Sequence, residues 1–170
     1  MMKCFWQYEY PVGRILLAED SGYIVGLYFA ERSDFNPGRQ LKDFLEQESA
    51  LIKEAANQLD EYFSGKRHEF DLPLKFIGTD FQKEVWEALM TIPYGETKTY
   101  SGIAAQIGNP KACRAVGMAN NQNPISIICP CHRVVGKGGS LIGYGGGLDA
   151  KQLLLDLETG QLLLDIEPGN

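Results

Sequence analysis

The sequence predicts an α/β (α+β) fold in two units: a small N-terminal β-sheet and helix domain, then a mainly helical C-terminal domain with a helix-turn-helix. Three observations carry this reading. Residues 3–29 alternate strand-forming runs with turn signals. From Leu41 to Phe63 apolar residues recur at helical spacing. Beyond Phe76, helix-start signals at Thr79, Thr99 and Pro110 open successive short helices. A chain of 170 residues, 44% hydrophobic and 22% charged, can build a sizeable core and is too apolar for global disorder.

Taken in order, Tyr8 to Gly13, Arg14 to Ala18 and Tyr23 to Phe29 predict a meander of about three strands, with a turn at Asp20-Ser21-Gly22. Asp34 to Gly38 reads as a loop. Leu41, Phe44, Leu45, Leu51, Ile52, Ala55, Leu59 and Phe63 predict a helical region that Ser64-Gly65 ends. Phe70 to Leu74 is an extended link. Residues 1–75 are expected to be a scaffold domain and residues 76–170 the domain that carries chemistry. In the second, Thr79 caps a helix whose Phe81, Val85, Trp86, Leu89 and Met90 share one face. Thr99 caps a helix from Tyr100 to Ile107, and Pro110 takes the first position of another through Asn120. Two short helices joined by a tight Gly turn, over about residues 99–122, make a helix-turn-helix pattern, though such hairpins also occur in proteins that never meet DNA. Gly136 to Ser140 is a hairpin-like turn and Gly143 to Gly147 a loop around Tyr144. Leu148 to Glu158 predicts a last helix, stopped at Gly160, with a tail over residues 161–170 that packs loosely.

The net charge of −6 argues against a nucleic-acid partner until its distribution is read. Thr97 to Leu148 contains no Asp or Glu, yet holds Lys98, Lys111, Arg114, Arg133 and Lys137. An acid-free, basic window in an acidic chain points to an anionic partner on one face. No apolar run is long enough for a membrane helix, and nothing at the N-terminus reads as a secretory signal. Cys129 and Cys131 stand too close for a useful staple, so free thiols and a reducing, cytoplasmic setting are expected.

The stretch from Ile127 to Val135 places Pro130-Cys131-His132-Arg133 between apolar flanks. Hiding a thiol, an imidazole and a guanidinium together is costly, which suggests that they serve chemistry. Pro130 stiffens the backbone just before Cys131. A thiol beside an imidazole is a candidate nucleophile, because only the thiolate attacks. His132 in turn needs a carboxylate to hold its tautomer, and Asp149, Asp156 and Glu158 are all possible suppliers. Cys113, Cys129, Cys131 and His132 number enough for tetrahedral zinc, but Cys-X-Cys-His crowds three ligands, so no metal and no cofactor is expected. Cys4 and Cys113 read as apolar filling and His68 as a lone surface histidine. Arg114 reads as a surface arginine, a phosphate contact, or a finger that props a duplex from which a base has been extruded. Tyr100 either presses on a phosphate or packs on its helix; Asn123 before Pro124 is ordinarily a turn residue.

On Pro130-Cys131-His132-Arg133-Val134 the chain resembles the O6-alkylguanine-DNA alkyltransferases, suicide repair proteins that move an alkyl group from damaged guanine in DNA to their own cysteine. The likeness runs from about Phe81 to Glu158 and includes Thr99-Tyr100, Arg114-Ala115-Val116-Gly117, Asn123-Pro124 and Tyr144 with Gly146-Gly147-Leu148. It implies a ribonuclease H-like first domain of sheet and helix. It implies Cys131 as acceptor, activated through Asn123, a water, His132 and Glu158, with Tyr100 donating to the departing guanine. It also implies Arg114 as the finger, Ala115, Lys111 and Tyr100 at the DNA, and Val134, Tyr144 and Gly145 around the base. The partner implied is double-stranded DNA bearing O6-alkylguanine, entered from the minor groove by a monomer. Two positions depart from the family pattern. Cys129 stands where an aliphatic residue is usual, and Asn121-Gln122 lacks a basic residue often found before the Asn-Pro turn. A lesion sensor without transfer, and a thiol hydrolase on another substrate, are the competing readings.

Overall fold

Three consecutive strands open the chain in the computed structural model, which describes residues 2–161. The apolar patch Leu162-Leu163-Leu164 of the expected tail lies outside them. The chain clusters into two units. One comprises the chain up to Ile77 together with Pro124–Ile128; the other comprises Gly78–Asn123 and the chain from Cys129 onward.

In the first unit, β1 (Lys3–Tyr10), β2 (Gly13–Asp20) and β3 (Tyr23–Phe29) form an antiparallel meander, and β4 (Leu45–Glu46) adds in parallel to β1. The tight turns at Gly13 and Gly22 have φ of +107° and +88°, open to glycine and strained for other residues. Because strand side chains alternate, β2 has two buried faces. Ile15 and Leu17 share a face with Glu19, which accepts a hydrogen bond from Ser49, the N-cap of α2 (Ala50–Phe63). That helix buries Ile52, Ala55, Ala56, Leu59 and Tyr62. Leu16 and Ala18, on the other face, cluster with Val25 and Leu41, and Phe35 and Phe44 pack against them.

This two-faced sheet explains a departure from the sequence expectation. The helical region predicted from Leu41 to Phe63 is helical only from Ala50. A four-residue α1 (Pro37–Gln40) begins inside the predicted loop and is capped at Leu41, and Leu45–Glu46 is extended. The apolar spacing of residues 41–45 reflects Leu41 and Phe44 covering the second sheet face. Pro124–Ile128 belongs to this unit through a parallel bridge of Ile125 to Leu27. Within it Ile127 has φ of +70°, and the Ile128 N–H closes a three-residue turn on the Ser126 carbonyl at 2.8 Å. A β-branched residue in this region costs roughly 1–3 kcal/mol and persists only where its surroundings enforce it.

In the second unit, α3 (Asp80–Leu89), α4 (Tyr100–Gln106) and α5 (Cys113–Asn121) pack pairwise. Thr79 caps α3 in a full capping box with Gln82, at 3.1 and 2.9 Å. Gln82 also donates to Gln122 at the end of α5 (2.8 Å), and the buried Trp86 indole donates to the Ala119 carbonyl (2.8 Å). Thus α3 fixes α5 at two points. Thr79→Ala is expected to lower unfolding free energy by about 1 kcal/mol, read by urea denaturation. Pro110 does not begin α5: Pro110 and Lys111 lie in the preceding turn, closed by Ala112 N–H on the Asn109 carbonyl, and the helix starts at Cys113. A short parallel pair joins β5 (Lys98–Thr99) to β6 (Val134–Val135). Gly136 and Ser140 close the expected turn at 2.7 Å, and α6 (Leu148–Glu158) follows. No helix among the described residues is long and apolar enough to cross a membrane.

Candidate active site

Cys131 begins a single 3-10 turn, Cys131–Arg133. Pro130, at φ −81° and ψ 63°, is the centre of an inverse γ-turn in which the Cys131 N–H donates to the Cys129 carbonyl at 2.8 Å. The proline therefore fixes Cys131 by geometry as well as by stiffness. Asn123 donates its side-chain amide to the same Cys129 carbonyl (2.9 Å), and the buried Asn120 donates to the Cys131 carbonyl (3.4 Å). The Cys131 side chain lies in a turn braced on two sides and is only 3% exposed, so a reaction partner has to be brought to it. Cys129 is fully buried with its sulfur 3.7 Å from the Trp86 carbonyl. Burial, then the neighbouring Cys131, push its thiol well above the usual range, which favours the protonated form.

Behind Cys131 the chain builds a buried ionic knot. Glu158, near the end of α6, receives Arg133 in a two-pronged fork, Nε to Oε1 at 2.8 Å and Nη2 to Oε2 at 3.1 Å. His132 Nε2 lies 2.6 Å from Oε2, and the Gly95 N–H donates to Oε1 at 3.3 Å. The remaining Arg133 prong donates to the Ile92 carbonyl at 2.6 Å. Burial would raise the Glu158 carboxyl, but the hydrogen bonds from His132 and Arg133 and the Arg133 charge outweigh it and hold the pKa well below the usual carboxylate range. Burial lowers the His132 pKa, only partly offset by Glu158. The consistent state is an ionised Glu158 balanced by Arg133 beside a neutral His132. In that state Nε2 carries the proton to Glu158 and Nδ1 keeps its lone pair. Nδ1 is buried and has no hydrogen-bond partner among the described residues.

A second buried cation faces the loop before α6. Lys151 is fully buried, and its Nζ donates to the carbonyls of Val134 (2.6 Å) and Ile142 (3.1 Å). It sits 5.9 Å from the Tyr100 ring centre, and the Tyr100 hydroxyl donates to the same Ile142 carbonyl at 2.8 Å. Burial lowers the Lys151 pKa while Cys131 pulls it back up. Burial, then Cys131 and Cys113, raise the Tyr100 phenol above its usual value. Tyr144 and Gly145 are half-buried in the loop whose turn closes by the Gly147 N–H on the Tyr144 carbonyl.

The structure thus gathers Cys131, His132, Glu158, Asn123, Tyr100 and Val134 around one turn. Arg114 and Ala115 stand exposed on the first turn of α5, and Lys111 is exposed just before it. Arg133 leaves the basic window that the sequence assigned to an anionic partner: its charge is spent on Glu158. Cys113 is exposed rather than apolar filling. Sequence reasoning missed Lys151 and Asn120. A signal existed for Lys151, which shares a helical stripe with Leu154 and Glu158, three and seven residues on. No group of His, Cys, Asp and Glu suited to a metal occurs among the described residues.

Residues 80–160 match the family described as 6-O-methylguanine DNA methyltransferase, DNA binding domain, and residues 6–76 match its ribonuclease-like domain. The methylated-DNA–protein-cysteine methyltransferase of Methanosarcina barkeri is 54% identical, over 88% of this chain and 93% of its own length. The crystal structure of Mycobacterium tuberculosis O6-methylguanine methyltransferase is 43% identical and superposes with a TM-score of 0.85, covering 99% of this chain and 97% of that one. Mycobacterium tuberculosis OGT in complex with DNA is 44% identical with a TM-score of 0.84, over 92% and 93% of the two chains. On two domain matches and these relatives, the chain belongs to the 6-O-methylguanine DNA methyltransferase family.

Proposed function

We propose that Cys131 is the acceptor through which this DNA-repair methyltransferase acts, taking the alkyl group of O6-alkylguanine once and irreversibly. One observation carries the reading: a braced, buried cysteine followed by a histidine whose ring nitrogen is held at 2.6 Å by a carboxylate that an arginine in turn fixes. The sulfur attacks the alkyl carbon as thiolate. An S–C bond forms, the C–O6 bond breaks, and its electron pair departs on the guanine. His132 Nδ1 takes the thiol proton through a bridging water, with Asn123 holding the turn. Tyr100, whose raised pKa keeps it protonated, exchanges its hydrogen bond to Ile142 for one to the leaving guanine. Val134, Tyr144 and Gly145 enclose the base.

The chain binds DNA, as its family does. The finer proposal is a duplex entered from the minor groove by a monomer, with α5 as the docking helix. Arg114 fills the gap left by the extruded nucleotide, and Lys111 and Ala115 lie along the backbone. On this reading residues 1–75 are the scaffold and residues 76–170 the transferase domain. A reducing intracellular setting follows from an acceptor that must remain a thiol.

Incubation with a duplex containing O6-methylguanine is expected to add one methyl mass per protein, on the peptide containing Cys131, with no second turnover. Methyl on another residue would overturn the assignment. Unmodified protein on bound lesion would establish a sensor, and several products per protein a hydrolase.

A further inference from the structure

We propose that Met118 is an apolar wedge of the docking helix, packed against the deoxyribose wall of the minor groove one turn along α5 from Arg114. The inference rests on the reading of α5 as the helix that enters DNA. α5 buries Val116, Ala119 and Asn120, and the Trp86 indole fixes that face through the Ala119 carbonyl. The opposite face carries Arg114, Ala115 and Met118, all exposed. Met118 is 61% exposed, the largest apolar side chain on that face. Residues four apart lie side by side on a helix, so the guanidinium and the thioether form one paired surface.

Charge complementarity selects the occupant. Lys111 and Arg114 stand exposed at the start of α5, and no carboxylate occurs from Thr97 to Leu148, so this end of the helix attracts a polyanion. The minor groove of a duplex has a polar, acceptor-lined floor and apolar sugar walls. Proteins that dock there pair cations with inserted apolar side chains. An unbranched, polarizable methionine suits an irregular wall better than a stiff branched residue. The wedge also addresses the missing cation at Asn121-Gln122: where phosphate contacts are few, apolar burial supplies binding that salt does not screen.

The experiment compares wild type with Met118→Ala, Met118→Gln, Met118→Leu and Arg114→Ala. It measures affinity for an O6-methylguanine duplex across a salt series, and the ratio of transfer rates on that duplex and on O6-methylguanine as the free base. Met118→Ala and Met118→Gln are expected to lower duplex affinity and that ratio by roughly tenfold or more, the loss of one buried side chain. Their salt slope should match wild type. Leu, apolar and of similar volume, should restore most of the loss. Arg114→Ala should weaken binding with a shallower salt slope. If Arg114→Ala weakens binding but Met118→Gln matches wild type, the wedge is wrong and the docking helix stands. If neither affects the duplex, the docking reading itself fails. A Met118→Leu variant as weak as Met118→Ala would also overturn the wedge.

Discussion

Glu158→Ala is expected to lose both folding stability and transfer. The carboxylate accepts from Arg133 twice, from His132 and from the Gly95 N–H, all in a buried site. Its removal strands a guanidinium left with the Ile92 carbonyl and, 5.8 Å away, the face of the Tyr94 ring, neither of which carries a compensating charge. Breaking a buried ion pair from one side costs roughly 3–5 kcal/mol, because the remaining charge is left uncompensated. Transfer should fall by about 10⁴-fold, the scale seen when a catalytic histidine loses the carboxylate that fixes its tautomer. Glu158→Gln keeps the shape but can donate as well as accept, so it should permit the wrong tautomer and show most of the kinetic loss with less of the unfolding. Urea denaturation and a single-turnover transfer assay read the two effects separately. Wild-type transfer rates in Glu158→Gln would remove the histidine from the mechanism.

The same knot sets the acid limb of stability. The folded pKa of Glu158 lies below its unfolded value, so its contribution is complete above the ordinary carboxyl pKa of 4.5 and disappears as pH falls through the depressed one. His132 is also depressed from 6.5, so below that pH the unfolded chain takes up the proton first and stability begins to decline. Wild type should therefore weaken from about pH 6.5 downward and more steeply in strong acid, whereas Glu158→Gln should lack the second stage.

How much of this was legible in the sequence depends on whether the signal was local. The buried turn at Cys131 was, because Pro130-Cys131-His132 is a contiguous run whose polar members make little sense in a buried stretch. Glu158 became specific only through family resemblance, since Asp149 and Asp156 lie on the same helix; the structure distinguishes it by its 2.6 Å approach to His132. Arg133 was visible but misassigned, because a charge count cannot tell a surface cation from one forked into a carboxylate. Helical spacing over Leu41 to Phe63 failed at its first turns, because a sheet with two buried faces draws Leu41 and Phe44 to the side opposite α2. Periodicity reports which residues are buried; it does not report against what.

Lys151→Met is expected to separate function from folding in the other direction. A fully buried ammonium carries a desolvation cost, which is why its pKa is lowered, and methionine fills similar space without it. The loss on the other side is two hydrogen bonds, to the carbonyls of Val134 and Ile142. These opposing effects should leave unfolding free energy within about 1–2 kcal/mol of wild type, as replacements of buried charges by apolar residues often do. Transfer has no such compensation. Lys151 ties β6 to the loop before α6, shares the Ile142 carbonyl with Tyr100 and feels the charge of Cys131, so on the proposed mechanism it would favour the thiolate. Loss of one charged hydrogen-bonding partner should slow single-turnover transfer by roughly tenfold to a hundredfold. The ammonium's lowered pKa also sets a sign: as pH rises through it the positive charge disappears, so wild-type transfer should decline before the ordinary lysine range near 10.5 is reached. Lys151→Arg keeps the charge but cannot deprotonate in that range, so it should hold its residual rate flat through the same alkaline interval. An alkaline decline that persists unchanged in Lys151→Arg would assign it to another group, and wild-type rates in Lys151→Met would reduce the buried cation to a fastener of the loop.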